Sequence, residues 1–192
     1  MKPYEVLPEE VEYRGETYAL DLSYAAFFSA ADLLADKRLP DDLKLRGALD
    51  LLVVGKHPDD PGLLEAIFEL VKDDRPRPDG PKRMDLEQDW SYICGAFQQA
   101  YGINLYEDKT IHILRFRALL ESLPGSTKLA EIIGIRAAEI PAPNKHNAKQ
   151  IADLTRLKAL YALRGSEHSL QEGWARLFEM LSARAVKVEK NG

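Results

Sequence analysis

Apolar positions recur at helical spacing along most of the chain and alternate at two-residue spacing only near its start. Val11, Tyr13, Tyr18 and Leu20 alternate on either side of Arg14-Gly15, which predicts a small β-hairpin over about 9–13 and 17–20. A helix is expected next, over about 22–35, capped by Asp21 and carrying Tyr24, Phe27, Phe28, Leu33 and Leu34 among alanines. Pro40 at a first turn, with Asp41 and Asp42 complementing the helix dipole, opens a helix ending near Gly55. Asp60-Pro61 repeats the cap-then-proline signal for a short helix through Val71, with Leu64, Ile67, Phe68 and Val71 on one face. Residues 73–83 (DDRPRPDGPKR) hold three prolines, a glycine and no core-forming side chain, so they read as a flexible connection.

The densest apolar pattern lies in residues 84–124. Asp85 can serve as an N-cap, and Gln88 three residues on gives a capping-box-like pair. Leu86, Trp90, Ile93, Cys94, Phe97 and Tyr101 form one helical stripe, and Gly102 stands where a left-handed residue ends a helix. A second helix, about 110–123, lines Ile113, Phe116, Leu120 and Leu123 on one face before Pro124-Gly125 stops it. The two make a helical hairpin, expected at the centre of the fold. Ser126 or Thr127 caps a short helix over about 128–138, and Pro141 to Asn144 breaks the chain. A helix over 145–164 carries Ile151, Leu154, Leu157 and Tyr161. Ser169 with Glu172 is a full capping box for a last helix bearing Leu170, Trp174, Leu177, Phe178 and Leu181. The fold class is mainly α: a multi-helix domain with a small N-terminal β-hairpin and a central helical hairpin. Residues 1–165 form that domain, with the connection at 73–83, and 166–192 a C-terminal helical extension.

Composition narrows the class. Of the 192 residues, 45% are hydrophobic and 30% charged, as in an ordinary globular protein. No apolar run approaches the length that spans a bilayer and the acidic N-terminus lacks a signal pattern, so a cytoplasmic protein off the membrane is expected. The net charge of −5 is unevenly spread: residues 1–74 carry −9 and residues 109–164 carry +6. An acidic end and a basic middle can pair within a molecule or between neighbours stacked head to tail, although solvated helix faces account for the same pattern. A pI near 5.5 argues against nucleic acid as a partner.

Reactive constellations are missing from the pattern. Asp85, Glu87 and Asp89 look like a metal cluster, but side chains at i, i+2 and i+4 of a helix do not converge, and carboxylates at a helix start need no metal. Cys94 lies on an apolar stripe, as a buried small hydrophobe would. His57, His112, His146 and His168 lack metal-ligand spacing, and no phosphate-cradling glycine loop or serine elbow occurs. Arg115 or Arg117, near His112, can bind an anion, or pair with an acid of the preceding helix such as Glu87 or Asp89. The residues read as a helical interaction protein with no enzyme machinery and no cofactor.

The ordered set Asp85-Leu-Glu-Gln-Asp89, Ala96-Phe97-Gln98-Gln99, Tyr101-Gly102-Ile103-Asn104-Leu105, His112, Arg115-Phe116-Arg117-Ala118-Leu119-Leu120, Leu123-Pro124 and Ile132-Ile133-Gly134-Ile135-Arg136 resembles the bacteriophage "gene product fifteen" family. The resemblance covers about residues 4–163 and is strongest over 85–136; Ile113-Leu114 stand where the family has aromatics, and the last helix with Trp174 is extra to the family core. The family's place in the tail region of siphophages and prophages implies a tail assembly chaperone. Such a protein coats the tape-measure protein until tail-tube subunits displace it, acts in the host cytoplasm and self-associates as a homo-oligomer. Two rivals remain: a structural tail completion or connector protein retained in the virion, and a small phage DNA-binding regulator. The positions expected to contact partners are Trp90, Tyr101, His112, Arg115, Phe116, Arg117 and Trp174. Trp90, Tyr101 and Phe116 suit the core better than a partner surface, which makes Trp174 the better exposed anchor.

Overall fold

Arg14 and Gly15 both take positive φ, 51° and 82°, the backbone of a type I′ turn whose twist suits a two-residue hairpin. The turn sets Tyr13 opposite Glu16 and joins β1 (Glu10–Tyr13) to β2 (Glu16–Ala19) in an antiparallel pair. The computed structural model describes residues 6–72 and 81–164. Among these it has seven helices after the hairpin: α1 (Tyr24–Ala35), α2 (Asp41–Leu52), α3 (Pro61–Val71), α4 (Trp90–Tyr101), α5 (Ile113–Glu121), α6 (Lys128–Ala137) and α7 (Ala148–Leu160). The protein is mainly α with an N-terminal hairpin. Both helices expected in 84–124 are present, as α4 and α5. Of the connection expected over 73–83, residues 73–80 lie outside the described residues, as does the C-terminal extension expected over 166–192 with its helix.

The described chain forms two compact units, one from residues 6–72 and 109–118 and one from 81–108 and 119–164. In the first, the chain stays extended after the hairpin because its backbone is paired elsewhere. Leu20 bridges Val53 and Ser23 bridges His112. Tyr24 N–H donates to the Ile111 carbonyl (2.8 Å) and Ile113 N–H to that of Leu22 (2.7 Å). Those bonds explain why α1 starts at Tyr24, two residues later than expected, and α5 at Ile113, three later. Residues expected in the first turn of each helix pair with the other segment instead. The cap of α1 is therefore Ser23, whose hydroxyl accepts the Ala26 N–H; Asp21 accepts the Ser23 N–H one step earlier. Pro40 stands at the N-cap of α2, just outside the helix. α2 stops at Leu52, short of Gly55, because Val53 turns away to meet Leu20. α3 follows its signal: Asp60 accepts the Gly62 N–H and Pro61 takes the first helical position.

The core of this unit joins Phe27, Ala30 and Ala31 of α1 to Ala48, Leu49 and Leu52 of α2 and Leu63, Leu64, Ile67 and Phe68 of α3. Phe27 meets Phe68 edge-on at 5.7 Å between ring centres. Tyr24 stacks on Phe116 at 4.9 Å, and Phe28 meets Phe116 edge-on at 5.5 Å. The first turns of α5 thus bury their apolar face, Ile113 and Phe116, in the first unit.

In the second unit, residues 86–89 form a turn, and α4 begins at Trp90. Its end is as expected: Gly102 is left-handed (φ 70°) and its N–H donates to the Gln98 carbonyl, the bond of an αL stop, while Ile103 N–H donates to Phe97. Ile93, Cys94, Ala96 and Phe97 are buried with Leu105, Leu129 and Ile132. Thr127 caps α6 through the Ala130 N–H. α6 packs against both α4 and α7. α7 is shorter than expected at both ends and buries no side chain fully; Ile151, Leu154, Leu157 and Tyr161 are half-buried.

Phe116→Ala removes the ring shared by Tyr24 and Phe28 and is expected to cost about 3–5 kcal/mol in urea unfolding. Arg115→Ala, one position away and exposed, is expected to stay within about 0.5 kcal/mol of the parent. Equal effects at the two positions would show that this cluster is not a core.

Candidate functional site

The expected partner-binding positions divide between the units. In the first unit, His112 accepts the Leu114 N–H at Nδ1 (3.1 Å) and faces the Pro8 carbonyl with Nε2 (3.0 Å). A backbone N–H can only donate and a carbonyl can only accept, so the ring hydrogen sits on Nε2. His112 thereby caps α5 and tethers the strand leading into the hairpin. Arg117 Nη1 donates to the Val71 carbonyl (3.2 Å) at the end of α3, where a cation complements the dipole. Phe116 is buried and Arg115 is exposed. In the second unit, Trp90 is half-buried, and the Tyr101 hydroxyl donates to the Leu119 carbonyl (2.8 Å) with its ring edge-on to Phe97 (5.7 Å). Trp174 lies outside the described residues.

The strongest polar constellation was not among those positions. Asp89, its side chain 1% exposed, is gripped by both terminal nitrogens of Arg136, at 2.7 and 2.8 Å. Nη1 of the same guanidinium donates to the Arg83 carbonyl (2.9 Å), and Nε donates to the Tyr161 carbonyl (2.6 Å). Asp89, one of the two acids expected to pair with Arg115 or Arg117, is therefore engaged by α6; the other, Glu87, is exposed, and Arg117 reaches a carbonyl instead. Asp89 Oδ2 also accepts the Asp85 N–H (2.9 Å), while Asp85 Oδ1 accepts the N–H groups of Glu87 (3.0 Å) and Gln88 (2.9 Å). The reciprocal partner of Asp85 is thus Asp89, not Gln88. The carboxamide of Gln88 exchanges two bonds with the backbone of Arg164, at 3.1 and 2.9 Å.

A second cation completes the arrangement. Lys158 Nζ lies 2.6, 2.8 and 3.3 Å from the carbonyls of Ala138, Arg136 and Ile135, closing the open C-terminal end of α6. Asp85 Oδ2 holds Lys82 at 2.6 Å. Burial pushes the Asp85 carboxyl up, but the Gln88 N–H, the Lys82 ammonium and the Glu87 N–H outweigh it and hold the group below the usual carboxylate range. The acids of 85–89 have separate partners: Asp85 has Lys82, Asp89 has Arg136, and Glu87 is exposed. Burial raises the Cys94 thiol, which opposes thiolate formation at neutral pH.

What this arrangement does chemically is hold backbone. His112, Arg117, Arg136 and Lys158 all engage main-chain groups, and the buried Asp89–Arg136 ion pair joins the turn before α4 to the end of α6. The signal for that pair was present, since Asp89 and Arg136 end the two outermost motifs of the 85–136 set. Spacing alone does not reveal that the motifs meet. Fold and side-chain chemistry together define a small, mainly helical protein whose charged motifs fasten its own chain. The family model described as Bacteriophage Gp15 protein matches residues 4–163, and the chain belongs to this bacteriophage family. Neither a curated protein nor a solved structure matches it.

Arg136→Met strands a buried carboxylate and is expected to cost about 3–5 kcal/mol, whereas Asp89→Leu with Arg136→Met is expected to recover part of that loss. Additive losses in a double-mutant cycle would contradict a direct pair. Asp85 also sets a pH dependence. Its folded carboxyl protonates below the unfolded one, so its contribution is complete above about pH 4, the unfolded value. It fades as pH falls through the folded value. Acid titrations of stability are expected to be shallower for Asp85→Asn than for the parent below about pH 4.

Proposed function

We propose that the protein is a non-enzymatic tail assembly chaperone, acting in the host cytoplasm. It self-associates and holds the tape-measure protein soluble until tail-tube subunits take its place. Membership of a bacteriophage family supports a role in the phage, and the tail-region place that the resemblance implies for that family supports this one. The observation that carries the reading is the division of labour among side chains. The buried polar groups described above are tied to the chain itself, while Leu43, Leu51, Val54, Ile140 and Leu160 stand exposed. Such residues suit weak, repeated contact with apolar helices better than the positioning of a small molecule.

Co-expression with a tape-measure protein of the same phage is expected to give a co-purifying complex. Mass spectrometry of mature particles is expected to lack this chain. Monomeric behaviour at high concentration together with no co-purification would overturn the proposal. Stoichiometric presence in virions would favour a structural tail component instead, and a salt-sensitive gel shift with phage DNA would favour a regulator.

A further inference from the structure

We infer that the outward face of α7 docks on the outward face of α2 in a second copy of this chain, so that copies associate head to tail. α7 has no fully buried side chain, and Lys149, Arg156 and Leu160 all point outward, Leu160 being 69% exposed. Residues 145–164 carry Lys145, Lys149, Arg156, Lys158 and Arg164 against Asp153 alone. α2 presents the opposite character. Asp42, Leu43, Asp50 and Leu51 follow one another at two-turn spacing on its exposed side, with Asp41 before them, Val54 beyond them and Arg46 as the base among them. Leu43 is 53% and Val54 63% exposed.

The two faces therefore match in kind, each combining exposed apolar side chains with charge of one prevailing sign. They also belong to different helices of the chain. A contact between them is heterologous and leaves each added copy with a free face at either end, so growth continues unless a ring closes. The inference rests on the self-association half of the proposed function.

Sedimentation velocity of the full chain tests it. The mean mass is expected to rise with concentration at low salt and fall back toward monomer at high salt. Lys149→Glu with Arg156→Glu is expected to weaken association roughly tenfold, as is Asp42→Lys with Asp50→Lys. Mixing the two variants is expected to restore it, because reversed faces then meet each other. Leu160→Gln, a neutral change on the same face, is expected to weaken association with helical content unchanged by circular dichroism. A monomer at every concentration, or association indifferent to both reversals, would overturn the inference. A strictly monomeric chain that still co-purifies with tape-measure protein would overturn it and leave the chaperone reading standing. Salt-sensitive head-to-tail association without co-purification would support it and remove only the tape-measure half of the proposed function.

Discussion

A carboxylate taken out of water must find a cation and further donors, and Asp89 is the buried charge around which the second unit is arranged. Its bidentate contact with Arg136 fixes α6 against the turn that precedes α4. Arg136 in turn reaches the end of α7 through Tyr161 and the incoming chain through Arg83. Two stretches far from Arg136 and from each other in sequence, residues 83–89 and the end of α7, therefore meet on one guanidinium. An ammonium could not do this, because the planar fork offers donors in several fixed directions at once. Such a pair contributes less to net stability than to choosing one arrangement, since desolvating both charges offsets much of their attraction.

The first unit reaches a similar end through the backbone. Leu22 to Tyr24 and Ile111 to Ile113 exchange main-chain bonds, and α1 and α5 leave that pairing side by side. The stacking of Tyr24 on Phe116 follows from it, because each ring belongs to the first or second turn of a helix whose start is fixed. His112 adds one imidazole that caps α5 and holds Pro8.

This contrast explains what could be read from the chain in advance. The hairpin turn at Arg14-Gly15, the cap at Asp60, the stop at Gly102 and the cap at Thr127 each depend on residues within a few positions, and each occurs as its local pattern indicates. α1 and α5 start later than their local patterns indicate because the groups that compete with helix formation there lie about ninety residues away in the chain. Asp85 was recognised as a cap, but its reciprocal partner depends on how Asp89 is held by Arg136. The same reasoning limits the reading of His112 and Arg117. Isolated polar residues on an apolar helix invite a binding role until the carbonyls of Pro8 and Val71 come within reach.

α7 shows what polar fastening makes available. A helix joined to its neighbour by apolar burial alone must turn its best hydrophobic stripe inward and bury it completely. α7 does not: Ile151, Leu154 and Leu157 are only half covered, and the join is reinforced at one end by Lys158 in the carbonyls of α6 and by Arg136 on Tyr161. Two directional contacts fix position with little surface, so the opposite side, with Lys149, Arg156 and Leu160, is left outside the fold. A face that the monomer does not need for its own stability can change charge and shape with little effect on folding. That freedom is what an assembly surface requires, and it separates the residues that hold this chain together from those that can hold it to another.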